Sequence, residues 1–181
     1  MKKLLTLFAM IFIFASTSLY AQSGFYLAPK AQLAYGFGKS HDDSDNDDFK
    51  MNPGIGGGII VGYNINQQIA VELNGSYEYW FADDDTPLDY TTTMIPLLAG
   101  INYSVNDTIG IIAGIGVTLW DFEVKYGGIS YSDDGSEFSL YAGVELRVVE
   151  SILIRPQLFY VNFDNDPSYQ IKLEVAYRFD L

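Results

Sequence analysis

The residues best suited to catalysis lie together in one polar segment, positions 39–48, which reads KSHDDSDNDD. His41, the only histidine of the chain, stands there near a serine and several aspartates, the residue types of a hydrolytic triad. A triad works only when rigid elements hold its members in a fixed geometry, and neighbours within one acidic loop lack that support. We therefore predict a hydrated loop histidine and no catalytic residue.

The aspartates of the same segment could instead bind a cation. Asp43, Asp45 and Asp47 have the alternate spacing of a calcium loop, but Asp48 replaces the expected glycine and no glutamate follows at the twelfth position. The pattern excludes an EF-hand, and it leaves either weak divalent-cation binding or acidic loops that simply stay hydrated. The candidate cation-binding residues are Asp42, Asp43, Asp45, Asp47, Asp48, Asp83, Asp84 and Asp85. No specific metal and no cofactor are predicted.

A second group of charged residues occupies the polar phase of segments in which every second residue is apolar. Glu72, Glu78 and Glu145 could act as acid–base pairs, but with Glu174 and Asp180 the five acids of this phase balance its five lysines and arginines, which favours a structural network in a confined interior. Trp80 and Trp120 share this phase, and we expect them to cap the interior rather than to floor a ligand site. The predicted network comprises Lys30, Glu72, Glu78, Glu145, Arg147, Arg155, Lys172, Glu174 and Arg178.

β-Strands must position these residues, because the apolar period is two. The clearest case is the final segment, QIKLEVAYRFDL, and seven earlier segments share its alternation, the seventh only weakly since Phe159 and Val161 fall out of phase. Three connections are short (NINQ, VNDT and VES), and the other four are long and acidic. The pattern predicts an eight-stranded antiparallel up-and-down meander. A ladder break or bulge is expected near Pro29, Pro96 and Pro156.

Composition limits the class of protein. The chain has 181 residues, 17 glycines, no cysteine and a formal net charge of −13. These values argue against a disulfide framework and against nucleic acid as a partner, since phosphate binding needs a basic face. Residues 1–21 combine an early pair of lysines with a short apolar run and small residues, which is typical of a secretory signal peptide. We expect one domain over residues 22–181.

Alternation alone does not say which face meets water. A soluble barrel or sandwich turns its apolar set inward, whereas a transmembrane barrel turns it toward lipid. The polar set is rich in glycine, which suggests that space on that side is scarce, and the charges of the strands balance. The long connections hold sixteen acidic residues against three lysines. We therefore predict a closed transmembrane barrel with its polar set inside.

The sequence then resembles a known family. The stretches that carry the resemblance are GFYLAPKAQLAYGFG, TTTMIPLLAGINYSV, GIIAGIGVTLWDF, SLYAGVELRVVE and KLEVAYRF. They are similar to the small eight-stranded outer-membrane barrels of the OmpA transmembrane-domain and OmpX type, and to the broader outer membrane protein beta-barrel domain family. The resemblance covers essentially the whole chain after residue 21, and it supports architecture more than activity.

The resemblance implies a monomer in the outer membrane of a Gram-negative cell, inserted by the barrel-assembly machinery and surrounded by lipids and lipopolysaccharide. We hypothesise a structural or surface-interaction role, such as adhesion or envelope integrity, with an extracellular protein or surface ligand bound by the loops. A narrow porin-like channel for small solutes is one alternative. A lipid-modifying outer-membrane enzyme is another, although the catalytic residues it would need are not recognisable.

Overall fold

The computed structural model describes residues 24–37, 53–81, 89–126, 129–163 and 166–181. The predicted signal peptide, His41 and the candidate cation-binding aspartates lie outside these residues. Among the described residues, no helix is long and apolar enough to span a membrane. The strands are β1 Phe25–Phe37, β2 Gly54–Asn64, β3 Ile69–Trp80, β4 Asp89–Ser104, β5 Ile109–Tyr126, β6 Ile129–Val149, β7 Ile152–Phe163, β8 Asp166–Tyr177 and β9 Phe179–Asp180.

The strands close into a barrel. Each strand pairs antiparallel with the next, and β1 pairs with both β2 and β8. The two-residue β9 continues β8 beyond Arg178 and pairs with the start of β1, so that β8 and β9 act as one strand. The predicted closed eight-stranded antiparallel barrel is therefore confirmed, and closure leaves no free edge within the wall.

The short connections have a common construction. In the turn between β2 and β3, Asn66 Oδ1 accepts hydrogen bonds from the backbone N–H groups of Gln68 and Ile69, each at 2.8 Å. Asn106 Oδ1 accepts the equivalent two bonds, also at 2.8 Å, between β4 and β5. Asparagine side chains stabilise tight turns in this way. We call this end of the barrel the turn end and the opposite one the loop end.

Each strand proline coincides with a local break in one ladder. The pairing of β1 with β8 and β9 omits the two positions at Ala28 and Pro29, and similar two-residue gaps occur beside Pro96 and Pro156. On its other side each proline keeps its partner. Proline lacks an N–H and interrupts only the ladder toward which that group would point, which accounts for the one-sided breaks. The register shift lies elsewhere, between Arg147 and Val149.

The alternation holds around the barrel, and the apolar set points outward. Ile111, for example, is 53% exposed, whereas Ile112 beside it is fully buried inside. Although its sequence pattern is weaker, the seventh strand alternates between buried and outward side chains as regularly as the others. Phe159 and Val161 are buried side chains that point into the barrel, where they supply apolar filling.

Two of the four long connections are shorter than predicted. One of the four connections predicted to be long and acidic is residues 121–137, but β5 continues to Tyr126 and β6 begins at Ile129, and the two pair throughout. β7 and β8 likewise extend until Phe163 pairs with Asp166. Serine- and aspartate-rich sequence looks like loop, but pairing with a neighbouring strand satisfies its backbone groups equally well.

Glycines face inward where neighbouring backbone leaves no room for a side chain. A Cβ atom on Gly116 would lie 2.1 Å from the carbonyl oxygen of Leu97, and one on Gly58 would lie 2.1 Å from that of Gly75. Bending a sheet into a narrow barrel crowds its concave face, and glycine relieves the crowding. The glycine-rich set therefore marks the inside.

Candidate functional site

The charged residues of the strands meet inside the barrel. Buried carboxylates and cations occupy two levels, one near the turn end and one near mid-height, while aromatic side chains fill the loop end. The buried charged side chains are Lys30, Glu72, Glu78, Glu145, Arg155, Lys172 and Glu174. Confinement of so many ionic groups requires close pairing, because an unpaired buried ion costs several kcal/mol.

Arg155 is the centre of the level near the turn end. Its Nη1 donates to Glu72 Oε2 at 2.9 Å and its Nη2 donates to Glu72 Oε1 at 2.7 Å, a bidentate pair. Its Nε donates to Glu145 Oε2 at 2.8 Å, and Nη2 contacts the same oxygen. Arg155 is fully buried. One guanidinium thus joins two carboxylates of distant strands in the geometry for which arginine is best suited.

Neutral and partly exposed side chains complete this group. The Tyr26 hydroxyl donates to Glu72, and Asn102 Nδ2 donates to Glu145 Oε2 at 2.8 Å. Arg147 Nε donates to Glu145 Oε1 at 2.9 Å, and its Nη2 donates to Ser104 Oγ at 2.6 Å. We call Tyr26, Glu72, Asn102, Glu145, Arg147 and Arg155 the turn-end cluster. It links β1, β3, β4, β6 and β7.

Two lysine–glutamate pairs lie above the turn-end cluster. Lys30 pairs with Glu174 on the neighbouring strand β8. Lys172 Nζ lies 2.5 Å from Glu78 Oε1, a contact that joins β8 to β3 across the interior. The same ammonium group lies 3.5 Å from the centre of the Phe159 ring. Pairing and an aromatic face together offset the loss of hydration of Lys172.

The last predicted network residue lies at the rim. Arg178 Nη2 lies 2.7 Å from Asp180 Oδ1, and Asp180 has a 69% exposed side chain. The Arg178 guanidinium also stacks 4.0 Å from the centre of the Tyr26 ring. Arg178 and Asp180 border a polar cavity of about 670 Å³ at the turn-end mouth, which Arg147 and Asp107 also line.

Aromatic side chains occupy the loop end of the interior. Trp80 and Met94 are buried together with Ala34, and Trp120 packs against them. Each tryptophan lies over a glycine of the neighbouring strand, because a Cβ on Gly54 would be 2.8 Å from the Trp80 ring and one on Gly135 would be 2.8 Å from the Trp120 ring. The indoles therefore fill this end of the interior.

The family to which the chain belongs is shown by a family-model match. A family model described as the outer membrane protein beta-barrel domain matches residues 4–179. The chain belongs to this family. The protein is accordingly an outer-membrane β-barrel, and its exposed apolar side chains face lipid. A search of curated proteins finds no match.

Solved structures share the fold at low sequence identity. The crystal structure of Ail, the attachment invasion locus protein of Yersinia pestis, has a TM-score of 0.65 at 16% identity, over 87% of this chain and 100% of that one. Ail in complex with the heparin analogue sucrose octasulfate has a TM-score of 0.63 at 15% identity, over 87% of this chain and 99% of that one. The crystal structure of Neisserial surface protein A has a TM-score of 0.59 at 18% identity, over 87% of this chain and 98% of that one. Such identities establish a common barrel and nothing finer.

The chemistry available to the interior of this outer-membrane barrel is limited. Among the described residues, no group of three or more His, Cys, Asp or Glu side chains could hold a metal ion. The carboxylates of Glu72, Glu78, Glu145 and Glu174 each contact a lysine or arginine. Each of these buried carboxylates is therefore held in an ion pair.

The neutral members of the turn-end cluster could not be identified from the sequence. Tyr26 and Asn102 occupy the inward phase of β1 and β4, which was their only signal. Tyr141, which lies outside this cluster, is a further inward residue whose role could not be identified from the sequence. Its ring lies over a pair of facing glycines on β4 and β5, since a Cβ on Gly100 would be 2.3 Å from its hydroxyl and one on Gly114 would be 2.4 Å from Cε1.

Gly114→Ala is expected to destabilise the barrel by about 1–3 kcal/mol, because the new methyl group would overlap the Tyr141 ring and the Ala99 carbonyl oxygen. Urea unfolding in lipid vesicles measures the effect. Gly57→Ala is the matched control, since Gly57 is exposed and the nearest atom to its Cβ position is 3.4 Å away. Equal stabilities of the two variants would contradict the packing described for Tyr141.

Proposed function

We propose that this outer-membrane barrel is a non-catalytic surface protein that acts through its loop end, in an adhesive or envelope-stabilising role. The observation that supports this most strongly is the filled interior. Arg155 and its two glutamates occupy the level near the turn end, and Trp80 with Met94 occupies the loop end. Barrels of eight strands have interiors just wide enough for side chains, which leaves the outer surface as the part that can act.

The chemistry of the loop end favours cationic ligands. The long connections in the sequence, together with the strand extensions next to them, are rich in aspartate and glutamate, and the chain as a whole carries a formal charge of −13. Ail has been crystallised with a heparin analogue, which is a polyanion. An acidic surface repels such a ligand, so we infer a positively charged protein surface instead.

A narrow channel is the second candidate, favoured by one observation. Within the part of the chain that the structure describes, buried polar atoms of Gln32, Asn74 and Gln170 have no hydrogen-bond partner. Buried polar groups are nearly always satisfied by protein or by ordered water, so water molecules inside the barrel are expected. A chain of such water molecules would be the route for a small leak.

Reconstitution into planar bilayers separates the two candidates. We expect no stable unitary currents, because ion pairs and indole rings occupy the interior at separate levels. Stable single-channel currents that scale with salt would select the channel and overturn the surface role as the main activity.

The lipid A of cells that express the barrel is expected to keep its mass, and a changed mass would instead indicate a lipid-modifying enzyme.

Loop replacement tests the surface role itself. We expect a barrel whose segments 38–52, 82–88 and 121–137 are exchanged for short turns to keep its gel shift on boiling, because the part of β6 that pairs with strands on both sides begins only at Ser139. Cells displaying it are expected to lose adhesion to an immobilised basic protein. Retained adhesion would contradict the proposal.

We also propose that residues 1–21 are removed on export, so that the mature chain isolated from outer membranes begins at Gln22.

A further inference from the structure

The polar cavity at the turn-end mouth lies at the opposite end of the barrel from the proposed surface role. The described residues around its volume of about 670 Å³ come from β1, β2, β4, β6 and β9 and from two of the short turns. Short turns of outer-membrane barrels face the periplasm, so that this cavity opens to the periplasm. Arg147 belongs both to its lining and to the turn-end cluster, which therefore borders the inner side of the cavity.

Two arginines are held in place at this mouth. Arg147 Nε donates to Glu145 Oε1 at 2.9 Å, and its Nη2 donates to Ser104 Oγ at 2.6 Å. Arg178 Nε donates to Asp180 Oδ1 at 2.8 Å, and its guanidinium stacks on an aromatic ring. The two arginine side chains are 19% and 15% exposed, so that a solute can reach part of each. These contacts use Nε and Nη2, so within the described part of the chain Nη1 of each arginine is left as a donor for a ligand.

Two carboxylates line the same cavity. Asp107 lies in the turn between β4 and β5, Asp180 lies on β9, and both are exposed. The charged side chains of the described lining are therefore two arginines and two aspartates. The aspartates would repel a simple anion and the arginines would repel a simple cation, whereas a ligand with both charges finds a partner for each.

Amide side chains add neutral hydrogen-bonding groups to the lining. Asn66 uses its Oδ1 to accept the two backbone bonds of its turn, which leaves its Nδ2 group as a donor. Gln67 beside it is exposed and offers both a donor and an acceptor. Peptide groups bind to such amides through the same donors and acceptors. The lining therefore suits a short peptide with charged groups better than an inorganic ion.

We propose that the turn-end cavity binds a short periplasmic peptide that carries both a carboxylate and an ammonium group. Arg147 and Arg178 bind the carboxylate, Asp107 and Asp180 bind the ammonium group, and Asn66 donates to a peptide carbonyl between them. The arginines are positioned before the ligand arrives, which reduces the entropy lost on binding. This inference goes beyond the proposed surface role and does not depend on it.

The experiment uses the full isotope-labelled barrel in lipid nanodiscs, which leave both ends open to solution. The probe is the synthetic peptide N-acetyl-lysyl-alanyl-alanine, which has one ammonium group and one carboxylate. We expect saturable changes in the NMR signals of Asn66, Ser104 and Arg147 at the turn end. The same peptide with a carboxamide end lacks only the carboxylate, and we expect it to bind at least about tenfold more weakly, a difference of about 1.4 kcal/mol.

A third peptide and two variants test the other contacts. Norleucine in place of the lysine removes the ammonium group, and it is expected to weaken binding severalfold at low salt. Arg178→Met is expected to weaken binding of the lysine peptide severalfold, with the gel shift on boiling as the check that the variant folds. Asp107→Asn is expected to weaken binding of the lysine peptide and to leave that of the norleucine peptide no weaker.

Four results would overturn the inference: no saturable binding of the lysine peptide, equal binding of the carboxamide peptide, unchanged binding by the folded Arg178→Met variant, or signal changes confined to the loop end. None of them bears on whether loop replacement removes adhesion. The failure of this inference is therefore distinguishable from the failure of the proposed surface role.

Discussion

Arg155→Met is expected to destabilise the folded barrel by about 3–5 kcal/mol. The substitution removes the cation that contacts both Glu72 and Glu145, so that Glu72 is buried without a cation among the described residues and Glu145 keeps only Arg147. The cost arises from the uncompensated charges more than from the lost attraction, because methionine fills much of the same volume. Equilibrium unfolding in urea, with the protein in lipid vesicles, measures the change as a lower midpoint at unchanged slope.

Two controls separate charge from packing. The triple variant Arg155→Met, Glu72→Gln, Glu145→Gln contains no uncompensated carboxylate at this level, and it is expected to recover part of the lost stability. Arg178→Met removes a rim arginine whose partner Asp180 is largely exposed, and it is expected to cost no more than about 1 kcal/mol. A neutral Arg155→Met, or equal costs at Arg155 and Arg178, would contradict the role given to the turn-end cluster.

Ile115→Arg is expected to cost about 2–4 kcal/mol, the second large effect. Ile115 is one of the most exposed apolar residues of the wall, and it pairs with Ala99 and Leu140 midway along β5. Its side chain therefore lies in the hydrocarbon of the outer membrane, where an arginine has no partner within reach. Folding titrations into lipid vesicles measure the loss.

The same substitution lower on the same strand is the matched control. Ile109 is also exposed and outward, but it directly follows the turn at the turn end. Depth decides the cost of a lipid-facing charge, so Ile109→Arg is expected to cost only about 0–1 kcal/mol. A neutral Ile115→Arg, or costs independent of depth, would show that these faces do not meet a bilayer as described.

The sequence was sufficient to predict the strands, their phase and the closure of the barrel. Period-two alternation identified β8 from QIKLEVAYRFDL, and the inward glycines distinguished the two faces. These features depend on local geometry and on crowding, which one sequence records directly. They required no knowledge of which strands meet across the interior.

Partners across the interior could not be predicted in this way. Lys172 contacts Glu78 over a separation of 94 residues, and Arg155 contacts Glu72 over 83. Register and side-chain length decide such contacts, and several pairings would satisfy the same charge balance. The inward positions of the apolar residues Ile60 and Ile112 could not be predicted either, because these residues break the alternation by which the strands are recognised.

The length of β5 and β6 beyond the barrel was predicted wrongly for a related reason. Serines and aspartates in positions 130–137 are poor strand formers by composition. Continuous pairing with β5, which is itself paired with β4, overrides that preference. Propensity describes the isolated strand, whereas the neighbours decide the strand in the sheet.

Spin labels along β5 test most directly whether the apolar face of this barrel meets lipid while the charged face is enclosed. The chain has no native cysteine, so single cysteines at Ile109, Ile111, Ala113, Ile115 and Val117 carry one label each. In lipid vesicles we predict that the labels are readily accessible to oxygen and poorly accessible to a water-soluble nickel reagent. The difference between the two accessibilities is expected to be greatest near Ile115. Labels at Ala113 and Ile115 that react freely with the nickel reagent and poorly with oxygen would contradict the account.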